Sequence, residues 1–135
     1  MNILFLTLGF YSTRGTYFDL MHYMKNEGHK IYVVTPAEKK YNINTNLTNE
    51  QGLNVLRVKT GNIQKVSMIE KGISTVKLES QLIKAIDKYL HDIKFDLIVY
   101  STPPITFSKV VRYIKNRDEY KLLEKFIPTF KKKLQ

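Results

Sequence analysis

Two loops hold the residues of this sequence whose types are best suited to bind a ligand. The first loop, Leu8–Thr16, contains Gly9 and Gly15, and glycine lets a backbone turn tightly and approach a ligand closely. The loop leads into a predicted helix, whose first N–H groups can bind an anion or a sugar hydroxyl. A purely conformational role for the two glycines fits equally well. The candidate substrate-binding residues of this loop are Gly9, Phe10, Tyr11, Arg14, Gly15 and Thr16.

Arg14, Ser101 and Thr102 are polar side chains of these two loops that could bind a ligand. Arg14 could bind a phosphate through paired N–H donors, and a solvated surface arginine is an equally good interpretation. Ser101 and Thr102 start the second loop, Ser101–Ile105, and precede two prolines. A rigid loop with hydroxyls suits hydrogen bonding to a sugar or a phosphate, and the alternative is a simple rigid turn.

Lys65 and Lys71 lie in the segment NIQKVSMIEKG, which mixes basic and apolar residues between a predicted strand and a predicted helix. Such a mixture suits an anionic membrane surface or a lipid-linked substrate. An ordinary loop beneath the domain explains the segment equally well. Lys65 is therefore a further candidate for substrate binding.

Several classes of site are excluded by residue types and spacing. The glycine spacing matches neither GxGxxG nor GxxxxGK, so neither a dinucleotide nor an ATP site is indicated. The chain has no cysteine, which rules out disulfides, thiolate metal sites and cysteine nucleophiles. No histidines and carboxylates have the spacing of metal ligands. We therefore expect no metal and no cofactor, and the sequence assigns no catalytic residue.

Charge and hydropathy indicate the partners and the location of the chain. The formal net charge is +10, from 22 basic and 12 acidic residues. This balance favours anionic partners, such as a membrane surface or a phosphorylated substrate, and solubility alone explains it equally well. No nucleic-acid-binding motif is present, so nucleic acid is not expected as a partner. The first apolar run, Ile3–Leu8, has no basic leader, which predicts a cytoplasmic protein, either free or peripheral at the inner membrane face.

Apolar periodicity predicts strands that alternate with helices. The predicted strands are Asn2–Thr7, Lys30–Thr35, Leu53–Thr60 and Phe95–Tyr100, and the predicted helices are Tyr17–Asn26, Ile69–Leu90 and Thr106–Asn116. We expect Thr16 to cap the first helix, Pro36 to end the second strand and Gly72 to interrupt the long helix. This order is typical of a Rossmann-like three-layer α/β sandwich with a mostly parallel sheet. Ligands of such sheets bind beyond the carboxyl ends of the strands.

The remaining segments are predicted to be irregular. Residues 37–52 are polar and predict an exposed loop, and Gly28 follows the first helix at a position that favours positive φ. Residues 118–135 form a basic tail, predicted to be helical up to Ile127 and frayed beyond Pro128. The predicted domain organisation is thus a Rossmann-like domain at 1–117 and a tail at 118–135.

Two stretches together resemble the N-terminal half of family-4 glycosyltransferases of the GT-B fold. They are MNILFLTLGFYSTRGTYFDLMHYMKNEGHKIYVVTP and FDLIVYSTPPITFSKVVRYIKN. A helix that ends in GHKIYVVTP is typical of this half-enzyme. The intervening TGNIQKVSMIEKGIST is similar to a subgroup that makes bacterial capsule or O-antigen polysaccharide. The resemblance covers residues 1–117.

The resemblance implies the acceptor-side domain of an enzyme of surface polysaccharide biosynthesis. Such enzymes transfer a sugar from a nucleotide-sugar to an acceptor glycan, often a polyprenyl-linked sugar at the inner membrane face, and they need no metal. Their N-terminal domain holds the acceptor with the loop after the first strand, here Gly9 to Thr16. The donor diphosphate and a pair of glutamates belong to the C-terminal domain.

The sequence differs from this family in two respects. Many relatives have a histidine after the fourth buried strand, where this chain has Ser101-Thr102-Pro103-Pro104. We also expect the donor domain to be missing. We therefore expect a truncated protein that does not transfer sugar alone. One alternative is a subunit of a two-chain transferase whose partner chain supplies the donor domain. The other is a non-catalytic, flavodoxin-like binding module.

Overall fold

The computed structural model describes residues 1–10, 15, 17–62, 67–102, 107–118, 121–126 and 130–133. Of residues 71, 74, 75, 101 and 102, and of the segments beyond 120, it describes the backbone. The strands are β1 (Asn2–Leu6), β2 (Lys30–Glu38), β3 (Asn46–Glu50), β4 (Leu53–Thr60), β5 (Leu97–Thr102), β6 (Lys121–Phe126) and β7 (Phe130–Lys133). The helices are α1 (Phe18–Asn26), α2 (Met68–Tyr89) and α3 (Ser108–Arg117).

The described strands form one seven-stranded sheet in the order β3-β4-β2-β1-β5-β6-β7. The inner strands β4, β2, β1, β5 and β6 run parallel, and Phe5 of β1 is paired with Val33 of β2 and Val99 of β5. The outer strands β3 and β7 are antiparallel to their neighbours. The predicted mixed α/β architecture with a mostly parallel sheet is therefore confirmed, and the strand order is compatible with a Rossmann-like fold.

The central strand β1 is buried on both faces, as its continuous apolar run predicts. Residues Ile3–Leu6 are all 0 % exposed. Successive side chains of a strand point to opposite faces. Phe5 accordingly belongs to the apolar cluster that contains Met21 of α1, whereas Leu6 belongs to the cluster that contains Leu82 of α2. Helices therefore cover both faces of the sheet, which gives three layers.

The second strand does not end at Pro36, because β2 continues to Glu38. The N–H of Thr7 donates to the carbonyl oxygen of Val34 over 3.1 Å, so Val34 directs its backbone groups towards β1. Pro36, two residues later, directs its backbone to the same side, where β1 has already ended at Leu6. The missing N–H of proline therefore costs no hydrogen bond of the sheet.

Residues 37–52 are not the exposed loop that their polarity predicts. The chain forms a 3₁₀ turn at Lys39–Tyr41 and then β3, which pairs with β4 through a turn at Gln51 and Gly52, both with positive φ. The side-chain oxygen of Asn49 accepts a hydrogen bond from the N–H of Gly52 at 3.2 Å. The side chains of β3 are exposed or half-buried, so its sequence lacks the apolar alternation from which a strand is predicted.

The C-terminal end of α1 was predicted correctly from the sequence, whereas its N-terminal cap was not. The helix begins at Phe18 with Tyr17 as its N-cap, one residue later than the predicted cap Thr16, which lies outside the described residues. At the other end Gly28 has a φ of 94°, as predicted.

The long helix α2 is continuous, and Gly72 does not interrupt it. The hydroxyl of Ser67 caps its start by accepting a hydrogen bond from the N–H of Glu70 at 3.2 Å. Further along, Leu78 and Leu82 are fully buried and hold the helix against the sheet. An interior glycine costs a helix only about 1 kcal/mol, which these contacts offset.

The last part of the chain differs most from its prediction. The fourth predicted strand lies later than expected, since β5 extends from Leu97 through Ser101 and Thr102. The buried residues of α3 are those expected, but the predicted helix beyond 117 is wrong, because β6 and β7 are strands. Pairing with the edge of β5 outweighs the local helix propensity of KLLEKF. The sheet therefore extends past the predicted boundary at 117.

Arg117 and Asp118 join the end of α3 to the segment between α2 and β5. The Arg117 guanidinium donates to the carbonyls of Leu90 at 3.3 Å and Ile93 at 2.6 Å, and also to the Asp118 carboxylate. Asp118 is 6 % exposed and accepts a hydrogen bond from the N–H of Phe95 at 3.0 Å. Removal of either charge would leave the other without its partner in a poorly solvated place.

Asp118→Ala is expected to lower the free energy of unfolding by about 3 kcal/mol, because it removes a buried ion pair and the acceptor of Phe95. The matched control is Asp92→Ala, which removes a carboxylate that is 84 % exposed beside His91. This control should change stability by about 0.5 kcal/mol or less. Urea denaturation followed by circular dichroism measures both, and equal losses would contradict a structural role for Asp118.

Two glycine substitutions should have opposite effects on stability. Gly28→Ala forces a side chain into positive φ and should cost about 1 kcal/mol. Gly72→Ala should stabilise by about 0.5–1 kcal/mol, since an added Cβ meets nothing within 4 Å in the middle of a continuous helix. Thermal unfolding of the two variants compares them directly. A loss of stability in Gly72→Ala would mean that α2 is not regular at this point.

Candidate functional site

A cavity of about 400 Å³ lies at the carboxyl ends of β1 and β2. This is the edge of a parallel sheet at which ligands are expected to bind. The cavity is lined by Leu8, Gly9, Phe10, Thr35, Pro36, Ala37, Glu38, Tyr41, Ile43 and Arg57. Its residues come from the chain after β1, the end of β2, the 3₁₀ turn and the segment after it, and the middle of β4.

The unequal lengths of β1 and β2 create this cavity. The last paired residues of the two strands are Leu6 and Val34, and β2 then continues beyond β1 for four residues, Thr35–Glu38, which remain paired with β4. The chain after β1 lines the space beside this extension with Leu8–Phe10. The difference in length between β1 and β2 therefore creates the walls of the cavity, so the site depends on strand length as well as on residue type.

The charged groups of the cavity are already neutralised. Glu38 is 7 % exposed, and its carboxylate lies 3.0 Å from the ammonium of Lys40. Arg57 forms a two-pronged ion pair with Glu50 of β3. The lining thus combines one carboxylate and one guanidinium, each with a partner of opposite charge. Such a site suits a neutral, hydroxyl-rich ligand better than a phosphate, which needs uncompensated positive charge.

Arg57 also positions an aromatic ring. Its guanidinium carbon lies 5.9 Å from the centroid of the Phe10 ring, within range of a cation–π contact. The ion pair with Glu50 also holds this guanidinium. Phe10 is thereby tied to β4 although it belongs to the chain after β1, and its ring forms an apolar wall of the cavity.

Two buried hydroxyls lie at the ends of β1 and β2. Thr7 is 5 % exposed and Thr35 is 2 % exposed, and neither Oγ1 atom has a hydrogen-bond partner within the described residues. Alternation along the strands places both on the sheet face that carries α1. Thr35 lines the cavity and stands opposite Arg57 in the register of β2 and β4, whereas Thr7 is not a lining residue.

The residues predicted to bind substrate are distributed over three regions. Gly9 and Phe10 line the cavity. Gly15 has a φ of 135° and is exposed, and its carbonyl accepts a hydrogen bond from the N–H of Phe18. Ser101 and Thr102 are the last residues of β5. The predicted residues Tyr11, Arg14, Thr16 and Lys65 lie outside the described part of the chain. A role of all these residues in substrate binding stays a prediction.

The two predicted ligand-binding loops follow β1 and β5, which are neighbouring strands of the sheet. Leu6 at the end of β1 is paired with Tyr100 of β5, so the chain beyond Leu6 and the Ser101-Thr102 pair start from the same edge of the sheet. The strand order also changes direction between β1 and β5, which is the topological switch point of an open α/β sheet. The described cavity lies on the β2 side of β1.

Eight of the ten lining residues were not predicted to bind a ligand, among them Thr35, Glu38, Tyr41 and Arg57. Thr35 was predicted to be the final residue of its strand, and Glu38 and Tyr41 fell into the predicted exposed loop. Arg57 belonged to a strand without a predicted site. A signal existed for Arg57, because a charged residue inside a mostly apolar strand needs a partner or a ligand. Nothing in the sequence indicated how far β2 extends beyond β1.

Two further findings concern the described residues. They contain no group of three or more histidine, cysteine, aspartate or glutamate side chains arranged to hold a metal ion. Among their helices, none has a stretch long and apolar enough to cross a membrane.

Comparison with known proteins does not assign the chain to a family. No protein-family model matches it, and no curated protein sequence matches it with significant similarity. The resemblance to family-4 glycosyltransferases therefore stays a prediction, and the geometry of the cavity is the independent observation that bears on function.

Thr35→Val and Thr7→Val are each expected to raise the free energy of unfolding by about 1 kcal/mol. The reason is that each variant removes a buried hydroxyl without a partner and keeps the shape of the side chain. Urea denaturation of the protein without ligand measures both changes. A loss of stability in either variant would mean that its hydroxyl has a partner in the folded protein.

Proposed function

We propose that this domain binds the acceptor glycan of a sugar transferase in the cavity between the ends of β1 and β2. The transferase would take its sugar from a nucleotide-sugar held by a separate donor domain, in the same chain or in a partner chain. The resemblance of residues 1–117 to the acceptor side of GT-B glycosyltransferases motivates this proposal. The setting in surface polysaccharide biosynthesis rests on that resemblance alone.

The composition of the cavity wall is the observation that carries the proposal. Sugars present a C–H face, which packs against aromatic rings, and hydroxyls, which need both donors and acceptors. Phe10 and Tyr41 supply the rings, and Thr35 supplies a buried hydroxyl without a partner among the described residues. A volume of about 400 Å³ lies within the usual range of ligand sites and has room for a small saccharide.

The charged residues of the cavity would orient the acceptor. The carboxylate of Glu38 can accept a hydrogen bond from a sugar hydroxyl, and the guanidinium of Arg57 can donate one. Arg57 is already paired with Glu50, and Glu38 is itself negatively charged, so neither residue attracts phosphate strongly. The described cavity thus contributes binding and orientation, whereas the donor side of the cleft would contribute the nucleotide site.

The cavity also bears on the flavodoxin-like alternative. A flavin mononucleotide carries a phosphate, which such a module would hold with a ring of backbone N–H groups or basic side chains. The described cavity has neutralised charges instead, so a neutral glycan fits it better. The two-chain alternative uses the same acceptor cavity and differs only in where the donor domain is encoded.

Phe10→Ala is expected to weaken saccharide binding about tenfold, since it removes the ring that would stack on the sugar. Nitrogen–proton correlation spectra of the full chain, titrated with neutral mono- and disaccharides, should show shifts at Gly9, Ala37 and Arg57. Tyr23→Ala is the matched control, because this tyrosine is 64 % exposed on α1, away from the cavity.

The two threonine variants give a second and sharper comparison. Thr35→Val should weaken saccharide binding, whereas Thr7→Val should leave it unchanged, since Thr35 lines the cavity and Thr7 does not. Saturable shifts caused by flavin mononucleotide, without any by saccharides, would instead favour the flavodoxin-like module. Saccharide shifts confined to residues outside the cavity would contradict the proposed site.

A further inference from the structure

The first half of α2 presents apolar side chains to solvent. Met68, Ile69, Ile73 and Val76 are 87 %, 78 %, 54 % and 80 % exposed. We refer to these four residues as the apolar face of α2. They line a shallow groove on the helix surface together with Gly72. Single exposed apolar residues are normal on proteins, but a contiguous group marks an interaction surface.

Helical geometry separates this surface from the core. Ile69, Ile73 and Val76 are spaced i, i+4 and i+7, so they lie on one side of the helix. The fully buried residues of α2 begin only at Leu78 and continue with Leu82. The core therefore holds the second half of the helix, whereas the described part of the chain does not cover the apolar residues of the first half.

The order of residues along the groove is self-complementary when two copies of α2 run antiparallel. A two-fold axis midway between Gly72 and Ile73 would place Ile69 of one copy opposite Val76 of the other. The same axis would place Ile73 opposite Gly72 of the other copy. A Cβ added at Gly72 meets nothing within 4 Å, so there is open space for the isoleucine at this point. An interface around a two-fold axis uses the same patch on both copies and needs this kind of pattern.

Two exposed residues of opposite charge fit the same axis. Glu70 and Lys77 are seven residues apart and therefore lie on the same side of the helix. In the antiparallel pair, Glu70 of one copy would lie only about 3 Å along the helix axis from Lys77 of the other, and the symmetry forms this contact twice. Within the described residues neither side chain has a salt bridge, although Glu70 accepts a hydrogen bond from the side-chain amide of Asn62.

We propose that the apolar face of α2 is the interface of a homodimer in which the α2 helices of two copies of this chain run antiparallel. The apolar face would be buried in the centre, and Glu70 and Lys77 would pair at the rim. The four apolar side chains present on the order of 500 Å² per copy, so two copies would bury about 1,000 Å², near the lower limit of specific interfaces. The dimer is therefore expected to be weak and in reversible equilibrium with the monomer. This inference does not depend on the proposed function.

The charges on α2 distinguish a second copy from an anionic lipid surface. The exposed carboxylates of Glu70 and Asp87 would repel anionic headgroups, whereas Glu70 would meet a positive charge in a second copy. The net charge of +10 on each copy opposes dimerisation at long range. Salt screens this repulsion, and exposed ion pairs contribute little. The dimer should therefore become tighter as salt is raised, whereas binding to anionic lipid would become weaker.

Sedimentation equilibrium of the full chain over a range of concentrations tests the dimer. At about 0.15 M salt the apparent mass should rise with concentration from that of one copy towards that of two. Ile73→Glu should weaken dimerisation at least about tenfold, because it places two carboxylates close to the two-fold axis. Tyr23→Glu is the matched control, since it adds the same charge at an exposed position of α1 and should leave the dimer unchanged. Circular dichroism checks that each variant folds.

Charge reversal tests the pairing of Glu70 with Lys77. Glu70→Lys and Lys77→Glu should each weaken the dimer about fivefold, because each substitution brings like charges together at both ends of the interface. The double variant, and a mixture of the two single variants, should restore dimerisation, since opposite charges then meet again. Lys88→Glu is the matched control in the second half of the same helix and should not be rescued by Glu70→Lys.

Disulfide cross-linking tests the orientation of the two helices. The chain has no cysteine, so a single introduced cysteine reports only on its own position. A mixture of Ile69→Cys and Val76→Cys should form covalent dimers faster than either variant alone, because the antiparallel arrangement places these two positions opposite each other. Faster cross-linking of Ile69→Cys with itself would contradict this arrangement.

Three further outcomes would overturn the homodimer. The first is a chain that stays monomeric at every concentration and salt concentration tested. The second is an equal weakening of the dimer by Ile73→Glu and by the control Tyr23→Glu. The third is a monomer that binds vesicles containing phosphatidylglycerol and loses this binding in Ile73→Glu, which would assign the apolar face to lipid.

Discussion

The structure depends on the complete burial of β1 between two apolar layers. Its residues Ile3–Leu6 have no exposed surface, and burying each such side chain contributes about 1.5–3 kcal/mol. The strand is paired on both edges, with β2 on one side and β5 on the other. Every other strand takes its position from this one, and helices on the two faces pack against alternate side chains of β1 and its neighbours.

The candidate site is a consequence of where this strand stops. The strand β1 ends at Leu6, while β2 continues through Pro36 to Glu38 without a partner strand on that side. Proline is tolerated there because no neighbouring strand needs its N–H. The same step buries the hydroxyl of Thr35 without a partner among the described residues. A buried hydroxyl without a protein partner that lines a cavity is a group that a bound ligand can satisfy.

Much of the sheet was predictable from the sequence, because continuous apolar runs define strands that are buried on both faces. Leu53–Thr60 was predicted with its exact bounds, and the positive φ of Gly28 followed from its place after a helix. β3 and β6 were not predictable in this way. An edge strand needs no apolar alternation, and β6 forms because β5 offers it an unpaired edge, so tertiary pairing outweighs local propensity.

The candidate site was predictable only in part, for a similar reason. The rule that ligands bind beyond the carboxyl ends of parallel strands leads directly to Gly9 and Phe10. Thr35 and Glu38 line the site because β2 is longer than β1. Arg57 lines it because the register of β4 places this residue opposite Thr35. Neither quantity is encoded in a local sequence window.

The helix α2 shows how one element can serve the core and a surface separately. Its second half is held by Leu78, Leu82 and Ile86, all fully buried, and that half is sufficient to fix the helix on the sheet. The first half adds helical hydrogen bonds and the Ser67 cap, but its apolar side chains contribute little burial to the fold. Changes at Ile69 or Val76 are therefore expected to leave the core intact. The exposed apolar residues of the first half therefore add little to the stability of the domain. A structural role does not explain them, whereas a group of exposed apolar residues is typical of an interaction surface.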